Sequence, residues 1–172
     1  MNVWELPDSV EAGGKKWKIR TDFRNVLTIF KFFDSPEYED DEKWEICLSL
    51  LYEDYDIDRM PPADVKEALM NGAVSFFNMG MPEDKTTHAR LMDWEQDAPI
   101  MAAPMSAQLG RDIRDPAPLH WWRFLSAYYG IGESLFAEVL SIRQKKAKGK
   151  KLEKYEQEFY KANKALIDLK PK

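Results

Sequence analysis

The sequence predicts a mostly α fold, a compact multi-helix domain with a short N-terminal β-hairpin. Three observations carry that expectation. Apolar residues recur at three- and four-residue spacing along most of the chain after residue 22, the period of a helix with one buried face. Start and stop residues punctuate the pattern at Asp22, Pro36, Pro61-Pro62, Gly80 and Ser134. Residues 1–20 instead alternate apolar with polar around Gly13-Gly14, which is strand spacing on either side of a tight turn.

Val3-Trp4-Glu5-Leu6 and Lys16-Trp17-Lys18-Ile19 are the expected strands. A lone hairpin is marginal in water, so this one is expected to lie against helices. Asp22 is placed to cap a helix from about Phe23 to Phe33, with Val26, Leu27, Phe30 and Phe33 on its apolar face and Pro36 beyond its end. Asp40 or Asp41 can cap a second, through Trp44, Leu48, Leu51 and Tyr52. Pro61-Pro62 opens a third that carries Val65, Leu69, Val74, Phe76 and Phe77 and ends near Gly80; Asn71-Gly72 weakens it internally. Residues 80–92 read as a loop, most mobile at Glu83–His88. Asp93 can cap a fourth helix from Trp94 to Leu109, kinked, shortened or split by Pro99 and Pro104. A fifth is expected from about Pro116 to Tyr129, broken by Gly130-Ile131-Gly132. Ser134 can cap a sixth through Leu135, Val139 and Ile142, ending in a basic turn with Gly149. Leu152, Tyr155, Phe159, Ala162 and Leu166 mark a last helix, over 151–169, with a docking stripe.

The fifth helix holds the densest signal, Leu119-His120-Trp121-Trp122-Arg123-Phe124. Neighbouring residues on a helix point about 100° apart, so Trp121 and Trp122 cannot share one narrow stripe. This helix must be covered on two sides, within its own fold or partly by a partner. His120 reads as a buried neutral histidine held by a backbone or carboxylate partner.

A chain of 172 residues, 44% hydrophobic and 32% charged, suits one globular domain. Within it, 1–20 is the hairpin, 22–142 the helical core and 151–169 the C-terminal docking helix. Cys47, the one cysteine, lies between Ile46 and Leu48 and is expected to pack as a small hydrophobe. Residues 1–20 have no apolar run like that of a signal peptide, and no stretch is apolar enough to cross a membrane. A soluble, intracellular protein with no membrane partner is expected.

The net charge of −5 hides an asymmetry. Residues 34–58 carry eleven acids against Lys43, and residues 143–154 carry seven bases against Glu153. Such runs are either two solvated faces or a means of self-association, in which Glu39, Asp40 and Asp41 of one copy meet Lys145, Lys146 and Lys150 of the next.

Catalytic constellations are missing. His88 and His120 are far apart, neither sits in a metal-ligand pattern, and one cysteine cannot build a zinc site. The phosphate-binding glycine motifs and the nucleophile elbow are also absent. No enzyme activity, cofactor or metal is expected. The acids at Glu39–Glu42 lack the spacing of a calcium loop and suit a helix N-terminus instead. The basic run 143–154 could contact phosphates, but the chain is acidic overall and the run has no interleaved aromatics for base stacking.

Three segments in order resemble the "gene product fifteen" family of tailed bacteriophages. They are Thr21-Asp22-Phe23-Arg24; Trp94-Glu95-Gln96-Asp97; and Leu119-His120-Trp121-Trp122-Arg123-Phe124 with Ile142-Arg143 downstream. Asp22, Phe23, Arg24, His120, Trp121, Trp122 and Phe124 are the residues expected to organise the core. The chain departs from the family pattern at Met79, Pro99, Met101 and Pro104. The resemblance implies a tail assembly chaperone of long-tailed phages. Such a protein binds the tape-measure protein during tail morphogenesis, packs against copies of itself and is not expected in the mature virion. The alternatives are a nucleic-acid-binding accessory protein using 143–154, or a phage regulator that binds a host protein.

Overall fold

The computed structural model describes residues 4–82 and 89–171. The segment Glu83–His88, expected to be the most mobile, lies outside them. Gly13 and Gly14 fix where the hairpin forms. Both take positive φ, 60° and 72°, which a two-residue turn of the mirror-image type needs and L side chains rarely adopt. The strands must then flank the turn directly. β1 (Ser9–Ala12) pairs antiparallel with β2 (Lys15–Lys18), Ala12 opposite Lys15 and Ser9 opposite Lys18. This corrects the expected first strand, since Trp4 and Glu5 lie in a turn and a bend.

Eight α-helices follow among the described residues, so the mostly α expectation holds. They are α1 (Phe23–Asp34), α2 (Asp40–Leu51), α3 (Ala63–Phe77), α4 (Ala98–Leu109), α5 (Trp121–Tyr129), α6 (Leu135–Ala147), α7 (Lys154–Ala162) and α8 (Lys164–Ile167). A 3-10 turn, Ile57–Arg59, lies between α2 and α3. The chain divides into two compact units, Met1–Lys85 with Pro118–Phe124, and Thr86–Ala117 with Leu125–Lys172.

In the first unit α1 packs on α2, α2 on α3, and the hairpin strand β1 on α3. The Asp22 carboxylate caps α1 by accepting from the Arg24 amide, as its position predicts. The cap of α2 is Glu39 rather than Asp40 or Asp41. Glu39 and Glu42 form a reciprocal capping box, which leaves the two aspartates in the first turn, where the helix dipole favours them. α3 runs unbroken through Asn71-Gly72. A Cβ on Gly72 would lie 2.8 Å from Val10 Cγ2 and 3.0 Å from the Tyr52 hydroxyl. The glycine is therefore a contact surface for the hairpin, not a break. Past its end, Met79 takes φ 55°, and Gly80 N–H donates to the Ser75 carbonyl at 2.7 Å. This is a Schellman stop with Met in the left-handed place usually held by glycine.

In the second unit α4 begins later than expected. Asp93 accepts from the amides of Glu95 and Gln96 at 2.9 and 2.8 Å, but this caps only a turn. A helix running on from Trp94 would press the Pro99 ring against the carbonyl four residues earlier. Restarted at Ala98, the helix holds Pro99 in its first turn and continues through Pro104, with Met101 and Met105 buried one turn apart. α5 likewise starts at Trp121 rather than near Pro116. α6 is capped by Ser134 as expected, its hydroxyl accepting from the Ala137 amide at 3.1 Å. The expected last helix is two, divided at Asn163, whose backbone N–H and side-chain amide both donate to the Phe159 carbonyl. The docking stripe is buried only in part, and Ala162 is exposed. Leu152, Phe159 and Leu166 pack with Tyr160 against Val139, Ile142 and Ile167, whereas Tyr155 is 60% exposed.

Candidate functional site

In the first unit the motif residues meet as a backbone bridge. Asp22 and His120 pair antiparallel. Phe23 N–H donates to the Leu119 carbonyl at 2.9 Å and Trp121 N–H to the Thr21 carbonyl at 2.7 Å. The Asp22 carboxylate serves three donors. It accepts from the Arg24 and Leu119 amides, both at 2.9 Å, and faces the Arg24 guanidinium at 3.2 Å. Phe23 stacks on Phe124, their centroids 4.4 Å apart.

The two tryptophans act as a pair. Trp121 Nε1 donates to the Phe77 carbonyl at 3.0 Å and Trp122 Nε1 to the Phe76 carbonyl at 2.8 Å. These are consecutive carbonyls at the C-terminus of α3, where the helical donors run out and Phe76 keeps only a long bond from the Met79 amide at 3.3 Å. The 100° offset between the side chains is thus used, because each indole reaches a different carbonyl. Both rings are buried, 1% and 5% exposed, so the chain's own fold supplies their cover. His120 precedes them as the cap of α5. Its Nδ1 accepts from the Trp122 amide at 3.0 Å, which leaves Nε2 to carry the proton and donate to the Pro7 carbonyl at 3.0 Å. Burial pushes its pKa below the ordinary imidazole value, although the Pro7 carbonyl works the other way.

The second unit is centred on Asp97 and Arg143. Asp97 is 0% exposed and Arg143 5%. All five guanidinium N–H donors are used. Nη1 and Nη2 bond the Asp97 carboxylate at 2.7 and 2.8 Å, and the rest reach the carbonyls of Leu91, Leu166 and Ile167. Arg143, which the basic run suggested as a phosphate ligand, is interior instead. Its neighbours are engaged too. Lys145 bonds Glu156 at 2.6 Å and holds that carboxyl below its ordinary pKa. Lys146 bonds Asp168 at 2.6 Å and lies 3.9 Å over the Tyr160 ring. Lys150 is exposed in the turn after α6, its N–H donating to the Lys145 carbonyl.

Sequence reasoning missed the 46-residue pairing of Asp97 with Arg143. It also missed Arg20, whose guanidinium donates to the carbonyls of Ser49, Leu50, Tyr52 and Glu53 where α2 ends. Both arginines stand beside apolar residues, Ile19 and Ile142, within otherwise periodic segments. An arginine in an apolar period was the available signal.

The surface feature suited to a protein partner is the turn joining α1 to α2. Phe32 stacks edge-on to Tyr38 at 5.7 Å, and Phe33 to Trp44 at 5.2 Å. None of the four is fully buried. Glu37, Glu39, Asp40, Asp41 and Glu42 are exposed beside them. Aromatics next to a charged rim are the composition of binding hot spots. Among the described residues, no three His, Cys, Asp or Glu side chains are grouped to hold a metal, and no helix is long and apolar enough to cross a membrane. Cys47 is fully buried, and burial pushes its thiol up to about 12.

The family model described as "Bacteriophage Gp15 protein" matches residues 3–169. The chain belongs to this family. It is a bacteriophage protein, and the Gp15 match spans all three resembling segments. They prove to be two structural pairings, Thr21–Arg24 with Leu119–Phe124, and Trp94–Asp97 with Ile142–Arg143. Each unit of this Gp15 protein thus has one of the pairings at its centre. No curated protein and no solved structure matches the chain.

Proposed function

We propose that this Gp15 family member is a non-enzymatic tail assembly chaperone that binds the phage's tape-measure protein during tail morphogenesis. The observation that carries the reading is the aromatic, acid-rimmed turn between α1 and α2. The motif tryptophans are committed to the core, so partner binding falls to side chains such as Phe32, Phe33, Tyr38 and Trp44. A coat that is later displaced needs moderate adhesion at each site, summed over many copies, and partly exposed aromatics suit that better than a deep pocket.

Co-expression with a tape-measure fragment is expected to keep that fragment soluble. Tyr38→Ala, which removes one ring from the turn, is expected to weaken the rescue while leaving thermal stability nearly unchanged. A fragment equally insoluble with and without the protein would refute the reading. The nucleic-acid alternative is less well supported, since Arg143, Lys145 and Lys146 already have partners within the second unit.

A further inference from the structure

Two exposed patches of this protein match each other in charge and in apolar character. In the first unit the 3-10 turn holds Ile57 and Met60 at the surface, 43% and 57% exposed. Glu53, Asp54, Asp56 and Asp58 are exposed around them. Arg59 in the turn and Lys15, 3.4 Å from Asp54, offset two of these four charges and leave the patch negative. Pro61 and Pro62 restrict the backbone that follows, so the apolar pair sits on a stiff segment. In the second unit Tyr155 is 60% exposed, and Lys148, Lys150, Lys151 and Lys154 are exposed around it, with Glu153 the one acid in that run. A lone exposed Ile or Tyr is ordinary surface. Glu158, one turn along α7 from Tyr155, is a second exposed acid there, yet each apolar anchor lies in a patch with a net charge, and the two signs are opposite.

We propose that the acid-ringed Ile57–Met60 knob of one molecule docks on the lysine-ringed Tyr155 of a second copy. The two faces differ, so the contact is heterologous, each molecule offering one patch and receiving the other. It is distinct from the pairing that the charge runs alone suggest, sharing only Lys150 with it. Lys145 and Lys146 are held by Glu156 and Asp168, and Glu39 caps α2. The proposal is independent of the tape-measure reading, because its test contains this protein alone.

The test is sedimentation of the full chain over a range of concentrations. Mass above the monomer is expected to grow with concentration at about 50 mM salt and to fall at about 500 mM, where surface charges are screened. Glu53→Lys/Asp58→Lys and Lys150→Glu/Lys151→Glu are each expected to weaken association at least about tenfold. An equimolar mixture of the two variants is expected to recover it, because each reversed patch then meets a complementary one. That recovery also shows that neither variant lost association by misfolding. A monomer at every concentration up to about 1 mM, or association that neither reversal weakens, overturns the proposal.

Discussion

His120 is restricted to one protonation state by its partners. Nδ1 must stay bare to accept from Trp122, while Nε2–H donates to Pro7. Protonation would place a hydrogen on Nδ1 and remove the cap of α5. The imidazole titrates near 6.5 when unfolded and lower when folded, so the unfolded chain binds more protons in that window. The stability it contributes is present above about pH 6.5 and is lost as pH falls through the folded value. Urea unfolding between about pH 8 and pH 5.5 is expected to show a steeper loss in the natural protein than in His120→Asn, which keeps a capping oxygen and does not titrate. Equal slopes would rule out this role. Gly72 is decided by a competition. Alanine would improve helix propensity by about 1 kcal/mol, but its methyl would meet β-branched Val10 at 2.8 Å, and overpacking costs about 1–3 kcal/mol. Gly72→Ala is therefore expected to lower the denaturation midpoint, whereas a gain in stability would mean that Val10 moves aside.

At the level of elements, helix ends explain what could be read in advance. The caps of α1 and α6 are local. Asp22 reaches the amide two residues on and Ser134 the amide three residues on, and a cap this close to its helix is visible in a linear sequence. The C-termini of α2 and α3 are closed from far away, by Arg20 and by the two indoles. Periodicity carries no trace of such bonds, so Trp121 and Trp122 could be read only as bulk needing cover. Gly72 looked like a weak point for the same reason, because Val10 is 62 residues from it in sequence. Arg143 looked solvated because a run of lysines follows it. The α1–α2 turn was partly legible, with Phe33 and Trp44 recognised as helix faces and the charge of Glu39–Glu42 recognised as a helix start. Trp121→Phe keeps an aromatic ring but withdraws the donor to the Phe77 carbonyl. A loss of at least about 2 kcal/mol is expected from the unbonded carbonyl and the smaller ring. Amide exchange should rise first at the end of α3, and uniform exchange across the chain would contradict this account.

For the whole molecule, each unit depends on residues remote in sequence. Arg143→Met removes one partner of a buried ion pair and leaves Asp97 uncompensated, which is expected to cost about 3–5 kcal/mol in chemical denaturation. A loss under about 1 kcal/mol, as for surface pairs, would show that water reaches Asp97. The first unit includes Pro118–Phe124, so a fragment of residues 1–85 lacks the strand bridge to Thr21–Phe23 and both indole donors. It is expected to give the poorly dispersed amide spectrum of an unpacked chain, and a sharp native-like spectrum would mean that the bridge is dispensable. The same discontinuity puts a delay into synthesis. At about 5–20 residues per second, a ribosome needs about 2–8 s to go from residue 85 to residue 124. Throughout that interval the hairpin and first three helices exist without their closing segment. Slow codons between residues 86 and 117 would lengthen this exposure, so translation speed over that stretch should influence how much of the protein reaches its folded state.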